Sequence, residues 1–390
     1  MKRIAVIFVA IIAMTMLQSR FAEAKKLPAG NQDVSVQELI KMLNEKGVIT
    51  DAEKAELDKR TKKKEKEGSL LVGGNLQLRY TQVQNDSNAN DQDTFGVKRG
   101  RLFVKGNLFE DTEFLLQGIY EYKDIATTTP TSLTSLGLLD AKLTFKLSDR
   151  HKLHAGQYVV PFSREDLASD LTIYTINRAL VVDKLAPNRD IGVSLDGATD
   201  SQILKYSVGV FNGAGKNTNS DKGNDNDQFL YLGRMVVAPK TETVKVEIGA
   251  NYARNNVEAG YARVDSSTFA GKEDLYGVDL SLDWNNSSFI GEYINAKLSP
   301  DAGGQATKKD GYYLQYAYSF NPKYQAVLKY EEYDADKSVE ANTEKKWTTI
   351  GLNQYIRGND LRMSYNYIFK GESGTSIKDN TFLTQLQVMF

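Results

Sequence analysis

The chain has 390 residues with 49 basic and 50 acidic side chains, a formal charge of −1 that leaves no electrostatic footprint for nucleic acid. It contains no cysteine, so neither a disulfide framework nor a thiolate metal site is available. A mean hydropathy of −0.44 with 21 Tyr and 16 Phe is too polar for helical membrane spans yet rich in rings, as expected where only every second strand residue meets lipid.

The amino terminus reads as an export signal over residues 1–24. Met1 to Arg3 is basic, Ile4 to Leu17 is nearly unbroken apolar, and Ala22-Glu23-Ala24 has the small-x-small form of a cleavage site. The apolar run falls short of the ~20 residues a membrane helix needs, and no later stretch reaches that length. Any membrane span must therefore be built of strands. Removing residues 1–24 leaves 46 basic and 49 acidic residues, a charge of about −3.

Residues 25–68 read as a charged helical arm. Ser35-x-x-Glu38 has the form of a capping box, Val36, Leu39, Ile40 and Leu43 recur at helical spacing, and Gly47 stands where a helix would stop. Thr50-x-x-Glu53 repeats the cap ahead of a Lys/Glu-rich stretch from Ala52 to Glu67. Such an arm spaces or trimerises the domain that follows, or is a solvated linker, and the sequence leaves both open.

From Leu70 onward the period changes to two. Leu76, Leu78 and Tyr80 alternate with Asn75, Gln77 and Arg79, and Leu102, Val104 and Leu108 with Arg99, Arg101, Phe103, Lys105 and Asn107. Leu139, Ala141, Leu143, Phe145 and Leu147 alternate with Asp140, Lys142, Thr144 and Lys146. The last ten residues put Phe382, Thr384, Leu386, Val388 and Phe390 on one face, and Thr381, Leu383, Gln385, Gln387 and Met389 on the other. Ionised residues at every second position require one dry and one wet face per strand. A soluble sandwich can alternate in the same way, so the connections have to decide.

Those connections alternate in length. Short ones fall at Glu110-Asp111, Ser148 to His151, Ala198 to Ser201, Pro239 to Glu242, Asn285-Asn286, Asn321 to Lys323 and Gly358 to Asp360, with longer polar stretches between them. This sidedness belongs to outer-membrane barrels, and the segments so separated number about sixteen, an even count that returns both barrel ends to the periplasmic, short-turn side. Tyr312, Tyr316, Tyr318 and Phe320, and Leu361, Met363, Tyr365, Tyr367 and Phe369, are expected on outward faces, where their rings supply two aromatic girdles. The predicted fold is all-β: a 16-stranded antiparallel transmembrane β-barrel over residues 69–390, preceded by the helical arm. One long connection differs. Ser163 to Asn188, between Pro161 and Pro187, carries Leu167, Leu171, Ile173, Tyr174, Ile176, Leu180, Val181, Val182 and Leu185, which a loop tip in water does not need. It is predicted to fold inward and narrow the channel.

Gly74-Asn-Leu-Gln-Leu-Arg-Tyr80, Lys98-Arg-Gly-Arg-Leu102, Gly156-Gln157, Pro161-Phe-Ser163, Asn177-Arg178, Leu185-Ala-Pro-Asn-Arg-Asp-Ile-Gly192 and Phe211-Asn-Gly213 resemble the phosphate-selective porin O and P family of outer-membrane channels. The resemblance spans roughly Leu70 to Pro239, with the later strands matching in pattern. It implies a trimeric porin of sixteen strands whose third loop enters the barrel and whose basic wall residues, here Arg79, Arg99 and Arg101, pass anions. Two stretches depart from it: Tyr158-Val159-Val160 stands where the family often has a lysine, and Asn177-Arg178 replaces a Glu-Arg pair.

The basic lumen face is the candidate site. Arg79, Arg99, Arg101, Lys105, Lys142 and Lys146 fall on inward positions, facing a loop that brings Arg164 and Arg178 with Glu165, Asp166 and Asp170. Guanidinium forks suit phosphate or carboxylate oxygens, and a row of weak sites passes an anion along. The same cations could instead pair with the loop carboxylates, Glu121 and Asp140, and Asp279, Asp283, Glu247 and Glu331 argue against a uniformly anion-attracting lumen. His151 and His154 read as solvated residues near a short turn, and Gly213-x-Gly215-Lys216 lacks the flanking residues of a phosphate loop. The expected function is passive diffusion of small anions across the bacterial outer membrane, with lipid and further copies of the chain as partners, no cofactor and no enzymatic step. A non-selective small-solute pore and a barrel that tethers the envelope remain the alternatives.

Overall fold

A computed structural model describes residues 41, 43–46, 48–66, 69–84, 92–120, 136–213, 229–257, 270–337, 343–372 and 379–390. The expected signal peptide, the arm before residue 41, Glu121 and most of the long connections other than the third lie outside the described residues. The chain divides into two compact units, residues 1–67 and 68–390.

In the first unit α1 spans Asp51–Lys66. The capping box read from Thr50-x-x-Glu53 forms in both directions: Thr50 N–H donates to Glu53 Oε2 at 2.8 Å, and Glu53 N–H donates to Thr50 Oγ1 at 3.3 Å. The Thr50 hydrogen bonds hold the Glu53 carboxyl below its usual range.

The second unit is a closed barrel in which each strand pairs antiparallel with the next and the last returns to the first. The strands are β1 (Leu70–Gln84), β2 (Gln92–Phe109), β3 (Thr112–Tyr120), β4 (Leu136–Lys146), β5 (His151–Val159), β6 (Arg189–Ala198), β7 (Leu204–Phe211) and β8 (Leu230–Val237). They continue with β9 (Val244–Val257), β10 (Gly271–Trp284), β11 (Ser287–Pro300), β12 (Thr307–Asn321), β13 (Tyr324–Asp334), β14 (Glu344–Arg357), β15 (Leu361–Glu372) and β16 (Asn380–Met389). Closure leaves no free edge, the condition a lipid-exposed sheet must meet. Phe390 seals the seam by exchanging backbone hydrogen bonds with Gly74 at 2.8 and 3.1 Å.

Alternation decides which side chains meet lipid. On β9 and β10, Ile248 and Val278 are exposed outward while Asn251 and Asp279 are buried on the lumen side. The register departs from strict alternation at bulges. One shifts β1 against β2 at Gln77/Leu78 and another shifts β3 against β4 at Gln117/Gly118. The second corrects the sequence reading, because Leu139, expected on the lipid face, is buried and lines the lumen beside Ile119. Gln157 donates to the Leu138 and Leu139 carbonyls at 3.0 Å each, satisfying the groups the bulge displaces. Gly156 sits at φ +119 where an added Cβ would fall 2.0 Å from the Ala141 carbonyl, so only glycine fits there.

The third loop does fold inward. It carries α2 (Arg164–Leu167) and α3 (Leu180–Leu185), and α3 packs on β11, β12 and β13. Val181, Val182 and Leu185 join Phe162, Ile294 and Tyr313 in one buried apolar cluster, and each such side chain contributes roughly 1.5–3 kcal/mol. Gly311 permits this approach: a Cβ there would lie 3.1 Å from Val181 Cβ and 2.4 Å from the Glu332 carbonyl. Leu167 differs from its loop neighbours and is 44% exposed.

Candidate functional site

The loop divides the lumen into two unlike walls. Along β9 to β13 the wall is acidic and bound to the loop. Arg164 donates through Nε to Asp279 at 2.6 Å and through Nη1 to Glu247 at 2.9 Å. The backbone N–H groups of Arg164 and Glu165 donate to the two oxygens of Glu292 at 3.1 and 3.3 Å. Leu180 N–H donates to Glu331 at 2.7 Å, and Ala179 N–H to Glu165 at 2.7 Å. These are the orphan donors at the starts of α2 and α3, and carboxyl oxygens accept from them. Arg234 completes the anchor, donating to the Phe162 carbonyl at 2.8 Å and to Asp279 at 2.7 Å. Farther round, Arg362 donates to the Ile173 carbonyl and Asn366 accepts from Ile176 N–H, so the polar inner faces of these strands are buried because the loop lies on them.

Across the lumen, β1 and β2 present arginines. Asp170, on the turn between α2 and α3, lies 2.5 Å from Arg101 Nη2 and 3.6 Å from Arg99 Nε, and its other oxygen faces Arg178 Nη1. Arg178 also lies 3.7 Å from Asp166. Arg79 donates to Gln385 at 2.8 Å and to Asn177 of the loop at 3.0 Å. Arg99 donates to Gln77 at 3.1 Å, which in turn donates to Gln387 at 3.2 Å, so wall amides orient the guanidinium row. These arginines, with Asp166, Asp170 and Asn177, border a cavity of about 580 Å³ whose lining includes nine basic residues and three acidic ones.

Four of the arginines expected from sequence, Arg79, Arg99, Arg101 and Arg178, meet in this cavity. Arg164 lies instead on the acidic wall, paired as described. Lys105 and Lys142 line a separate cavity of about 440 Å³ with Glu113, and Lys146 pairs with Glu113 at 2.6 Å. Asp140 binds Arg189, through two bonds of 3.0 and 3.1 Å. The sequence reading missed Lys98, Lys184, Arg189, Lys345 and Lys370. Alternation from Arg99 would turn Lys98 outward, but the bulge beside it brings it to the lumen. Lys345 and Lys370 reach the site only because closure sets β14 to β16 beside β1. Lys370 stacks over the Trp347 ring at 4.8 Å. The histidines differ from expectation too, since His154 is buried between Thr144 at 2.9 Å and Asp196 at 3.1 Å.

A family described as "Phosphate-selective porin O and P" matches residues 71–390. The chain belongs to that family. Solved structures similar to this porin include the loop L8 deletion mutant of OmpT, an outer membrane protein of Vibrio cholerae, at a TM-score of 0.59 and 13% identity, covering 83% of this chain and 100% of that one. An anion-selective porin from Comamonas acidovorans matches at 0.58 and 14%, covering 83% and 100%. At these identities the likeness shows the fold. An uncharacterized protein of Aquifex aeolicus (strain VF5) is 22% identical over 275 residues, covering 62% of this porin and 64% of that protein's length. The motifs that carry the family resemblance have structural roles in this porin. Asp190 accepts from Gly213 N–H at 2.7 Å, and Asn255 donates to the Gly213 carbonyl at 3.0 Å, fixing the exit of the third loop against the end of β7. Ser163 caps α2 at the loop's entry, accepting from Asp166 N–H at 3.2 Å.

Proposed function

We propose that this porin is an outer-membrane diffusion channel that prefers small anions, with phosphate or a similar oxyanion as the first candidate solute. The observation that carries the reading is the cavity bordered by Arg79, Arg99, Arg101 and Arg178, where basic residues outnumber acidic ones three to one. Guanidinium groups replace part of an anion's hydration shell, and several of them in series keep each contact weak enough to release. The acidic residues Glu247, Asp279, Glu292 and Glu331 do not counter this, because each is bound to the loop on the other wall. Lys105 and Lys142 continue the positive wall in the second cavity.

The even strand count returns both barrel ends to one side of the membrane, and the proposal takes that side, with the arm at residues 25–68, as the periplasmic one. A trimer is proposed as well: OmpT of Vibrio cholerae is described in a trimer form, and this chain shares its barrel architecture. In planar bilayers the purified protein should give reversal potentials of anion sign in a potassium chloride gradient, and its native mass should be that of three chains. A reversal potential of cation sign, or none, overturns the anion reading, and a single-chain native mass overturns the trimer.

A further inference from the structure

We infer that Asp170 is a tethered anion that competes with the permeating solute for the arginine site and thereby sets the channel's affinity for oxyanions low. The inference rests on the anion reading above. One carboxylate gathers three guanidiniums: Arg101 at 2.5 Å, Arg99 at 3.6 Å, and Arg178 against its second oxygen. Two of these come from adjacent inward positions of one wall strand and the third from the loop itself, so the acid closes a ring of positive charge. The carboxylate is 7% exposed.

Guanidinium groups that pair with a carboxylate also pair with a phosphate, since both present charged oxygens to the same N–H donors. A phosphate entering the cavity therefore meets donors that Asp170 already engages. Because Asp170 is part of the chain, it competes at an effective concentration on the order of millimolar or above, and a free anion must exceed that to displace it. A channel gains from this arrangement, as a site that bound oxyanions tightly would block flow.

The turn that presents Asp170 has supports of its own. Thr172 N–H donates to the Ser169 carbonyl at 2.9 Å, and Leu171 N–H donates to Ser169 Oγ at 3.2 Å. Arg178 Nη2 donates to the Ala168 carbonyl at 2.5 Å and to the Asp166 carbonyl at 3.3 Å. Removing one charge from Asp170 thus leaves the turn held by bonds that do not pass through its carboxylate.

The test is block of single-channel chloride current by inorganic phosphate in Asp170→Asn, with Asp170→Glu and Arg99→Gln/Arg101→Gln as references. Asp170→Asn should lower the half-blocking phosphate concentration by about tenfold and raise the anion-to-cation permeability ratio, as expected for removing one charge beside a narrow passage. Asp170→Glu should stay within about twofold of the wild type. Unchanged or weaker block in Asp170→Asn overturns the inference, as does a parallel rise of chloride and potassium conductance, the mark of an acid that only pins the loop. If the arginine double variant leaves the reversal potential unchanged, the anion reading itself fails. If that variant shifts it while Asp170→Asn does not strengthen block, only the tethered-anion inference fails.

Discussion

The two walls of the lumen use opposite charges on one loop, to different ends. On β9 to β13 carboxylates accept the loop's backbone N–H groups and its Arg164. On β1 and β2 arginines hold the loop's Asp170 at the edge of a cavity that still has room for solute. What lies beside the pairs, more than their burial, separates the two. Carboxylates that also hold the loop's backbone lock its position, whereas ion pairs bordering a cavity can exchange partners with whatever enters. On the proposed reading the β9 to β13 wall anchors the loop and the anion path follows the arginine wall.

The sharpest way to break this contrast is to attack the anchor. The Asp279 side chain is fully buried and holds both Arg164 and Arg234. Asp279→Ala leaves two guanidiniums buried without that partner, a loss of roughly 3–5 kcal/mol for a broken buried pair. The variant barrel should melt at a lower temperature in detergent, and its third loop should be cut by protease where the wild type resists. Wild-type melting and resistance would show that the acidic wall does not anchor the loop.

A smaller effect is expected at Glu165, in the loop itself. Burial raises its carboxyl above the ordinary value, with Lys329 acting in the opposite direction. A raised folded-state value means that the group's contribution is present below its unfolded pKa and is lost as pH rises through the folded one. Glu165→Gln keeps the shape, retains an oxygen to accept from Ala179 N–H and removes this slope. The drop in melting temperature from about pH 5 to about pH 8 should be smaller in the variant than in the wild type. Equal drops would contradict the assignment.

Much of the fold was legible because period two, alternating connection lengths and an apolar loop between two prolines each state a physical requirement locally. The bulges were not legible: a one-residue shift at Gln117/Gly118 turns Leu139 into the lumen, and nothing in the sequence marks it. The basic site was half legible. Arg99 and Arg101 follow from alternation, while Lys345 and Lys370 need the closure of the barrel to come near them. The partners of the acids were not legible for the same reason. Asp279, Glu247 and Glu331 read as charges on other strands of the lumen, and the loop groups they bind lie far away in sequence, 115 residues in the case of Arg164 and Asp279.

The contrast between the walls is tested most directly by the reversal potential of Arg99→Gln/Arg101→Gln in a salt gradient. Inward positions of a barrel tune permeation more than stability, so the double variant should still insert and form open channels. Each arginine changes the energy of a passing ion by ~1 kcal/mol at a dielectric between water and protein interior. The anion-to-cation permeability ratio should therefore fall several-fold, moving the reversal potential toward zero. A double variant that keeps the wild-type reversal potential would contradict the account, because selectivity would then not reside on the arginine wall.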